Sequence, residues 1–466
     1  MRQEKAPQTA VRTALALLAF IVCTGLAARA APRSKAADME PRLFDITLHG
    51  KPPEGTPAVQ PWKRIELDPD YAGAWVVAGD LNGDGRAEIV SARNVNTSDP
   101  PGFNHDGHYT CSVIACDLDG EVLWRWGDPA EGRNKLHHDV GCQIHDWDVD
   151  GENEVVLATR DRLVTLDGLT GKPEDGFPIP TYASDCIAFA ELDGSPPDEV
   201  LVKSRYSHIW AFNRQGEELW KVERPAGHMT AHQPVPMDLD GDGRQAVLAG
   251  YAMLNPDGSV RWDLNGLDIP LGGHLDCGRL FERGPTPAQC SILMTFCGGN
   301  RIAMVSGDGR ELLWSIEGYH FESIDTGEVL PDVPGREIAV DIAHRPSGDS
   351  PLWLLSARGE LLGNMTTQGS RHHVLLDREG NGRKEIIMAT ARTAFDGRGV
   401  PRVAFDIPRE KDDPRRLCAR GDMDGDGRED LLFWGNPASA VTIFRREGGQ
   451  PDEDAPLGTG PNVTLY

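Results

Sequence analysis

The chain has 466 residues, 39% hydrophobic and 26% charged, with a formal net charge of −25. That is enough apolar material for a large core and too balanced a mixture for intrinsic disorder. The acidic surplus speaks against nucleic acid as a partner, and it repels polyanionic glycans at long range unless bound cations or a local basic pocket offset the carboxylates.

Residues 1–30 join a basic opening (MRQEKAPQTAVR), an apolar core (TALALLAFIVCTGLA) and the small-x-small triplet Ala28-Arg29-Ala30, the pattern of a secretory signal. A membrane anchor is the alternative, but Cys23 follows Val22, where a lipoprotein acceptor needs a small residue. The protein is therefore expected to be secreted or periplasmic. Cleavage removes Arg2, Lys5, Arg12, Arg29 and Glu4, a net +3, and leaves about −28. Past this segment no apolar run is long enough to span a membrane. Residues 31–65, rich in Pro, Lys and Ala, read as a linker and lead-in strand, and 66–466 as one propeller domain, expected to be a monomer.

From Tyr71 a repeat sets in. HDWDVDGENEVVLA, from His145 to Ala158, alternates Asp146, Asp148 and Asp150 before Gly151, then places Glu154 and a β-branched run. Alternating acids around a glycine turn gather oxygens for a hard cation such as Ca²⁺, and the apolar run reads as a buried strand. The unit recurs as LNGDGRAEIV (Asp80, Asn82, Asp84, Glu88), LDGDGRQAVL (Asp238, Asp240, Asp242) and MDGDGREDLL (Asp422, Asp424, Asp426, Asp430), with weaker copies at Glu191, Glu282, Glu328 and Asp377. Spacings between successive anchors are 66, 45, 47, 44, 46, 49 and 45, the first lengthened by a loop insertion over residues 94–110. About 35 residues after most anchors stands a second signature (LDGEVLWRW, RQGEELWKV, PDGSVRWDL, GDGRELLWSI), a turn followed by an alternating strand with Trp near its end. Two such signatures per period, with almost no helical periodicity, predict a four-stranded blade. The expected fold is all-β: a single closed β-propeller of eight four-stranded blades, with seven as the alternative. Either the N-terminal segment or the final ASAVTIFRRE strand should complete a blade shared by both ends. The four intact turns are expected to hold structural Ca²⁺, and the missing twelfth-position Glu argues against an EF-hand.

Eight cysteines follow the signal segment. Their even number permits disulfides in an exported chain; Cys111 with Cys116 and Cys290 with Cys297 are the local candidates, while Cys142 and Cys186 sit among strand-like apolar residues and read equally well as buried thiols. The histidines are phased. His138, His274 and His320 each precede an anchor by eight residues, and His232 and Asp185 precede theirs by six. Period-two geometry puts these on equivalent sides of the innermost strands, whose starts converge at one mouth of the channel. Their neighbours are His137, His228 and His373. LVKSRYSHIWAF offers Lys203, Arg205, Tyr206 and His208 where a second strand runs into a loop, with a solvated strand end as the alternative, and Arg93 and Arg160 stand after their own strands. The histidines and the acidic turns should lie on opposite faces, roughly 17 to 20 Å apart along strands of five or six residues. No GxSxG, Walker or dinucleotide signature stands in the required context.

GYHFESIDTGEVLPDVPGREIAV resembles the blade motif of family 11 rhamnogalacturonan lyases, a Gly-His pair followed by an Asp-rich stretch and PDxPGxE. The acidic turns resemble FG-GAP and VCBS-type repeats, as in integrin heads and the propellers of ulvan lyases. The resemblance implies β-elimination on a uronic-acid-containing polysaccharide, with His320 and, by phase, His274 and His138 as members of the central site. Catalytic candidates are His138, Arg205, Tyr206, His232, His274 and His320. A cation at the mouth or Arg205 would neutralise the C6 carboxylate, and a neutral histidine or Tyr206 would move the protons. The partner is then an acidic polysaccharide or another glycan. The competing class is a non-catalytic Ca²⁺-binding propeller that holds glycan or protein, and the repeated DGxxLW signature suggests a quinone-dependent dehydrogenase as a third.

Overall fold

Eight antiparallel sheets follow one another along the chain, each opened by a strand that leads into one of the anchor turns. The computed structural model describes residues 32–96, 108–132, 140–196, 198–367, 372–408, 416–435, 438–446, 448–452 and 455–460. The expected secretory signal and His138 lie outside them. Among the described residues no helix is long and apolar enough to cross a membrane, and helix is confined to short 3₁₀ turns. Blades 1 to 7 occupy residues 75–127, 142–178, 187–223, 230–263, 275–317, 320–367 and 373–405, and blade 8 takes 416–444. The protein is an eight-bladed β-propeller.

The Trp signature has a physical reason. Trp124, Trp220, Trp262 and Trp314 are each the third residue of the outer strand of blades 1, 3, 4 and 5, and each donates its indole N–H to a carbonyl in the next blade: Gly168, Pro256, Gly307 and Ala357, at 2.7 to 3.0 Å. Each ring also lies flat on a glycine of that neighbouring turn. A methyl group at Gly309, for instance, would come within 2.4 Å of Trp262, and Gly309 has φ +70°. The latch thus selects glycine twice, for its conformation and for the ring that covers it. Phe177 takes the tryptophan's place over Gly216.

Residues 32–66, read from composition as linker and lead-in strand, are laid around the rim. Arg33–Lys35, Phe44–Thr47 and Ala58–Val59 add parallel fifth strands to the outer edges of blades 5, 6 and 7. Lys63–Glu66 then pairs antiparallel with Ala440–Phe444 as the fourth strand of blade 8, so both ends of the chain share the closing blade. Phe44 covers Gly399 of blade 7, supplying from this strap the aromatic ring that the outer strand of blade 6 lacks. Parallel edge strands also cover sheet edges that would otherwise be open to pairing with another chain.

All eight cysteines are free thiols, which corrects the local disulfide candidates. Cys111 and Cys116 belong to one extended strand, His108–Cys116, and five residues of strand put them roughly 16 Å apart, beyond bridging distance. Cys290 and Cys297 flank the strand Ser291–Phe296 and stand at its opposite ends.

Candidate functional site

The innermost strands of blades 4, 5 and 6 (Thr230–Met237, Leu275–Glu282, His320–Gly327) break their ladders near their starts. Pairing with the second strand jumps from Thr230 to Val235, from Leu275 to Cys277 and from Phe321 to Ile324. The residues left out include His232, Asp276 and Glu322. Irregularities of this kind re-aim side chains, and these three converge.

Asp276 is the hub. Its Oδ1 lies 3.0 Å from His274 Nε2 and 3.5 Å from His232 Nε2, and its Oδ2 lies 3.2 Å from His320 Nε2. The His232 and His274 Nε2 atoms are themselves 3.0 Å apart. His320 Nε2 also approaches Glu322 Oε1 at 3.3 Å, and His344 Nε2 meets the same oxygen at 3.5 Å. From blade 3, the Tyr206 hydroxyl stands 3.2 Å from His232 Nε2 and the Tyr206 ring stacks on His274 at 4.0 Å. Arg205 donates to that hydroxyl at 2.9 Å, and with Lys203 it anchors on Asp185 at 3.4 and 2.6 Å. Tyr206 (φ 60°) and His344 (φ 53°) occupy the left-handed region in the turns after the second strands of their blades, a costly conformation for such residues that clusters at functional sites.

Burial pushes the His274 imidazolium down to about 4. Burial alone would raise Asp276, but donation from His232, His274 and His320 outweighs it and holds the carboxyl well below the usual range. A neutral imidazole beside an ionised carboxylate is the protonation state a cation needs. The coordinating atoms of His232, His274 and Asp276 lie within 4.8 Å of one another, as do those of Asp276, Cys297 and His320 and those of His320, Glu322 and His344. The three sets share members and form one connected group.

Five of the six catalytic candidates are thus brought together: Arg205, Tyr206, His232, His274 and His320. Lys203, with a solvated strand end as its alternative reading, is instead wholly buried against Asp185. Asp276 and Glu322 were missed, although each precedes its anchor, Glu282 or Glu328, by six residues, the phase of Asp185 and His232. His344 and Cys297 lie beyond second strands, where no phase marks them.

The acidic turns lie at the far ends of the same inner strands. Their first carboxylate caps the turn, Asp80 accepting from Gly83 and Gly85 and Asp422 from Gly425 and Gly427. The acid at the turn's end accepts the amide after the anchor: Glu88 from Leu81, Glu154 from Trp147, Glu199 from Leu192, Glu337 from Val329. The weak copies of blades 3 and 6 therefore retain the turn lock. Three carboxylates converge within 4.8 Å in blade 2 (Asp146, Asp148, Glu154) and blade 8 (Asp422, Asp424, Asp426). Arginines answer carboxylates in both of these turns and in blade 4. Arg214 meets Asp148 at 3.2 Å in blade 2, and in blade 8 Arg445 meets Asp424 at 3.0 Å and Arg428 meets Asp426 at 2.6 Å. In blade 4 every acid of the turn is taken, with Arg261 forked onto Asp240 at 2.5 and 2.7 Å, Arg244 on Asp242 and Arg283 on Asp238. Blade 7 carries an internal cation, Arg378, on Glu379 and Glu385.

No family model matches the chain. It is 23% identical over 438 residues to the rhamnogalacturonan endolyase YesW of Bacillus subtilis (strain 168), covering 78% of this chain and 66% of that protein, so the chain spans just under two thirds of the length of this relative. The crystal structure of rhamnogalacturonan lyase YesW superposes with a TM-score of 0.56 at 17% identity, over 85% of this chain and 77% of that one. The V. cholerae biofilm matrix protein Bap1 superposes with a TM-score of 0.57 at 12% identity, over 87% and 93%. The chain is therefore similar, at low identity and over most of its length, to a rhamnogalacturonan lyase, and it shares the propeller fold with lyases and a matrix protein alike.

Proposed function

We propose that this chain is an exported, propeller-type polysaccharide lyase that cleaves a uronic-acid-containing polysaccharide by β-elimination. The convergence of three imidazoles, a phenol and a guanidinium around one buried carboxylate at the propeller mouth carries this reading. The low-identity likeness to rhamnogalacturonan lyases supports it.

In the reaction a base takes the C5 proton, the C4–O4 bond breaks as a C4–C5 double bond forms, and an acid protonates O4. His320, the most exposed of the three imidazoles around Asp276, accepts the C5 proton. The Tyr206 hydroxyl, held between Arg205 and His232, returns a proton to O4. Arg205 faces the C6 carboxylate and stabilises the charge that grows there. A divalent cation held by His232, His274 and Asp276 would supply Lewis-acid withdrawal from the same carboxylate. Structural Ca²⁺ belongs in the acidic turns of blades 2 and 8, where Asp148 Oδ1 and Asp424 Oδ1 are buried without a hydrogen-bond partner.

Because the fold likeness extends to a biofilm matrix protein, a non-catalytic role in holding glycan is the second reading. Incubation with a panel of acidic polysaccharides decides between them. A rising ultraviolet absorbance of unsaturated uronate, abolished in His320→Ala and Tyr206→Phe, is expected. Retention of a polysaccharide without product would overturn the lyase reading.

A further inference from the structure

The strap that closes the propeller also builds one wall of a cavity. Arg33–Lys35 runs parallel to Leu312–Glu317, and that strand pairs with Arg301–Ser306. The register sets Lys35 opposite Glu317 and Glu317 opposite Arg301, a cation–anion–cation row across three strands at one end of blade 5. Next to the row is a cavity of about 340 Å³ lined by Lys35, Pro270, Asn300, Arg301 and Glu317 among others.

This cavity adjoins the mouth through two chain segments. Asn300 stands three residues after Cys297, whose sulfur belongs to the Asp276 and His320 group, so the two are at most about 11 Å apart along the backbone. Gly318, also in the lining, precedes His320 by two residues. Asn300 has φ 44°, and it occupies the same turn, between second and third strands, as Tyr206 and His344 in their blades. With Arg392 (φ 48°) of blade 7, four blades use this turn to present a polar residue in the left-handed conformation on one face.

The charges select the ligand. Arg301 is paired with Glu317 at 2.7 Å and Arg33 with Asp268 at 3.0 Å. Lys35 is exposed and enters no ion pair among the described residues, so beside this cavity it adds a cation on a chain whose net charge is −25. An acidic glycan approaching so acidic a protein needs a local cation to hold it.

We propose that the cavity between the strap and blade 5 is a saccharide subsite for a carboxylated sugar unit flanking the one held at the imidazole group. Lys35 engages the carboxylate and Asn300 hydrogen-bonds the ring hydroxyls. The subsite rests on the lyase reading only for what happens to the neighbouring unit.

The test uses the full-length protein, Lys35→Glu and Asn300→Gly; the glycine keeps the turn and removes the amide. Binding is read by retardation in native gels containing polygalacturonate or the same polymer with its carboxyls reduced, and KM and kcat are measured wherever product forms. The expected result is weakening of about tenfold in Lys35→Glu on the carboxylated polymer, lost at high salt and on the reduced polymer, with kcat within about twofold of the parent. Asn300→Gly should weaken binding to both polymers. Parent retention with weakened variants and no product would keep the subsite and remove the lyase reading. Parent turnover with both variants unchanged would overturn the subsite and leave that reading intact, and a parent that retains neither polymer overturns the subsite.

Discussion

At the scale of single residues, the site depends on Asp276. Three Nε2 atoms lean on one carboxylate, and Asp276→Asn replaces an ionised acceptor with an amide that has only one acceptor oxygen. Turnover should fall by at least the roughly 10- to 100-fold that losing even an outer partner of a metal ligand costs, and equilibrium binding of a divalent cation, read by calorimetry, should weaken in parallel. Unchanged cation affinity would remove His232, His274 and Asp276 from that role. The depressed imidazolium of His274 has its own signature. A histidine held at about 4 when folded and near 6.5 when unfolded leaves the unfolded chain binding the extra proton. Its contribution to stability is therefore full above pH 6.5 and is lost as the pH falls toward 4. His274→Gln should flatten that part of a melting-temperature profile. The chain's own period made the histidines legible, since imidazoles repeating at fixed distance from an anchor share a face of successive strands. Asp276 and Glu322 were equally legible at the six-residue phase. Cys297 and His344 were not, because they lie past second strands whose turns vary in length from blade to blade.

At the scale of the element, the acidic turns divide by what fills them. Burial, outweighing the amide hydrogen bonds and reinforced by neighbouring carboxylates, pushes Glu88, Glu154 and Asp430 up to about 7. Groups raised in this way favour the folded chain while protonated, and they destabilise it as the pH climbs from the ordinary carboxyl range through 7. A bound cation reverses that cost, so excess chelator should lower the melting temperature at pH 8 and change little at pH 5. An equal shift at both pH values would count against cation binding in these turns. Asp148→Ala should remove most of the blade 2 share of the effect. Asp240→Ala, which loses only an arginine fork at the surface, should cost no more than about 1 kcal/mol and leave the chelator response intact. Alternating acids marked four of the turns, and the period of 44 to 49 residues placed the eroded ones, which pointed to eight blades with seven as the alternative; the sheets number eight. The alternation did not reveal that arginines answer carboxylates in blades 2, 4, 7 and 8, because Arg214, Arg261, Arg283, Arg378 and Arg445 stand at positions that the alternation of acids does not constrain.

For the whole molecule the question is how a ring of marginal sheets stays closed. Each blade buries its faces only against neighbours, so closure depends on contacts that cross from blade to blade. Two kinds are visible: the indole latches, each joining a blade to the next, and the strap of residues 33–66, which crosses blades 5, 6 and 7 before completing blade 8. Composition suggested a linker for this stretch because parallel edge strands of two to four residues leave too short a pattern to read. The two parts of the strap should separate experimentally. A chain beginning at residue 61 keeps Lys63–Glu66 and hence the closing sheet, and it should remain folded with a lowered melting temperature. A chain beginning at residue 68 leaves the edge strand Ala440–Phe444 unpaired and should open or aggregate, as an exposed edge does. Trp314→Ala is the counterpart within the ring, losing a buried indole and its hydrogen bond to blade 6 at a cost of about 3 to 5 kcal/mol. Hydrogen exchange followed by mass spectrometry distinguishes the modes of failure. Trp314→Ala should raise exchange first in blades 5 and 6, whereas the chain beginning at residue 68 should raise it first in blades 8 and 1. If both variants instead exchange uniformly around the ring, the propeller unfolds as one cooperative unit and closure is not held by particular latches.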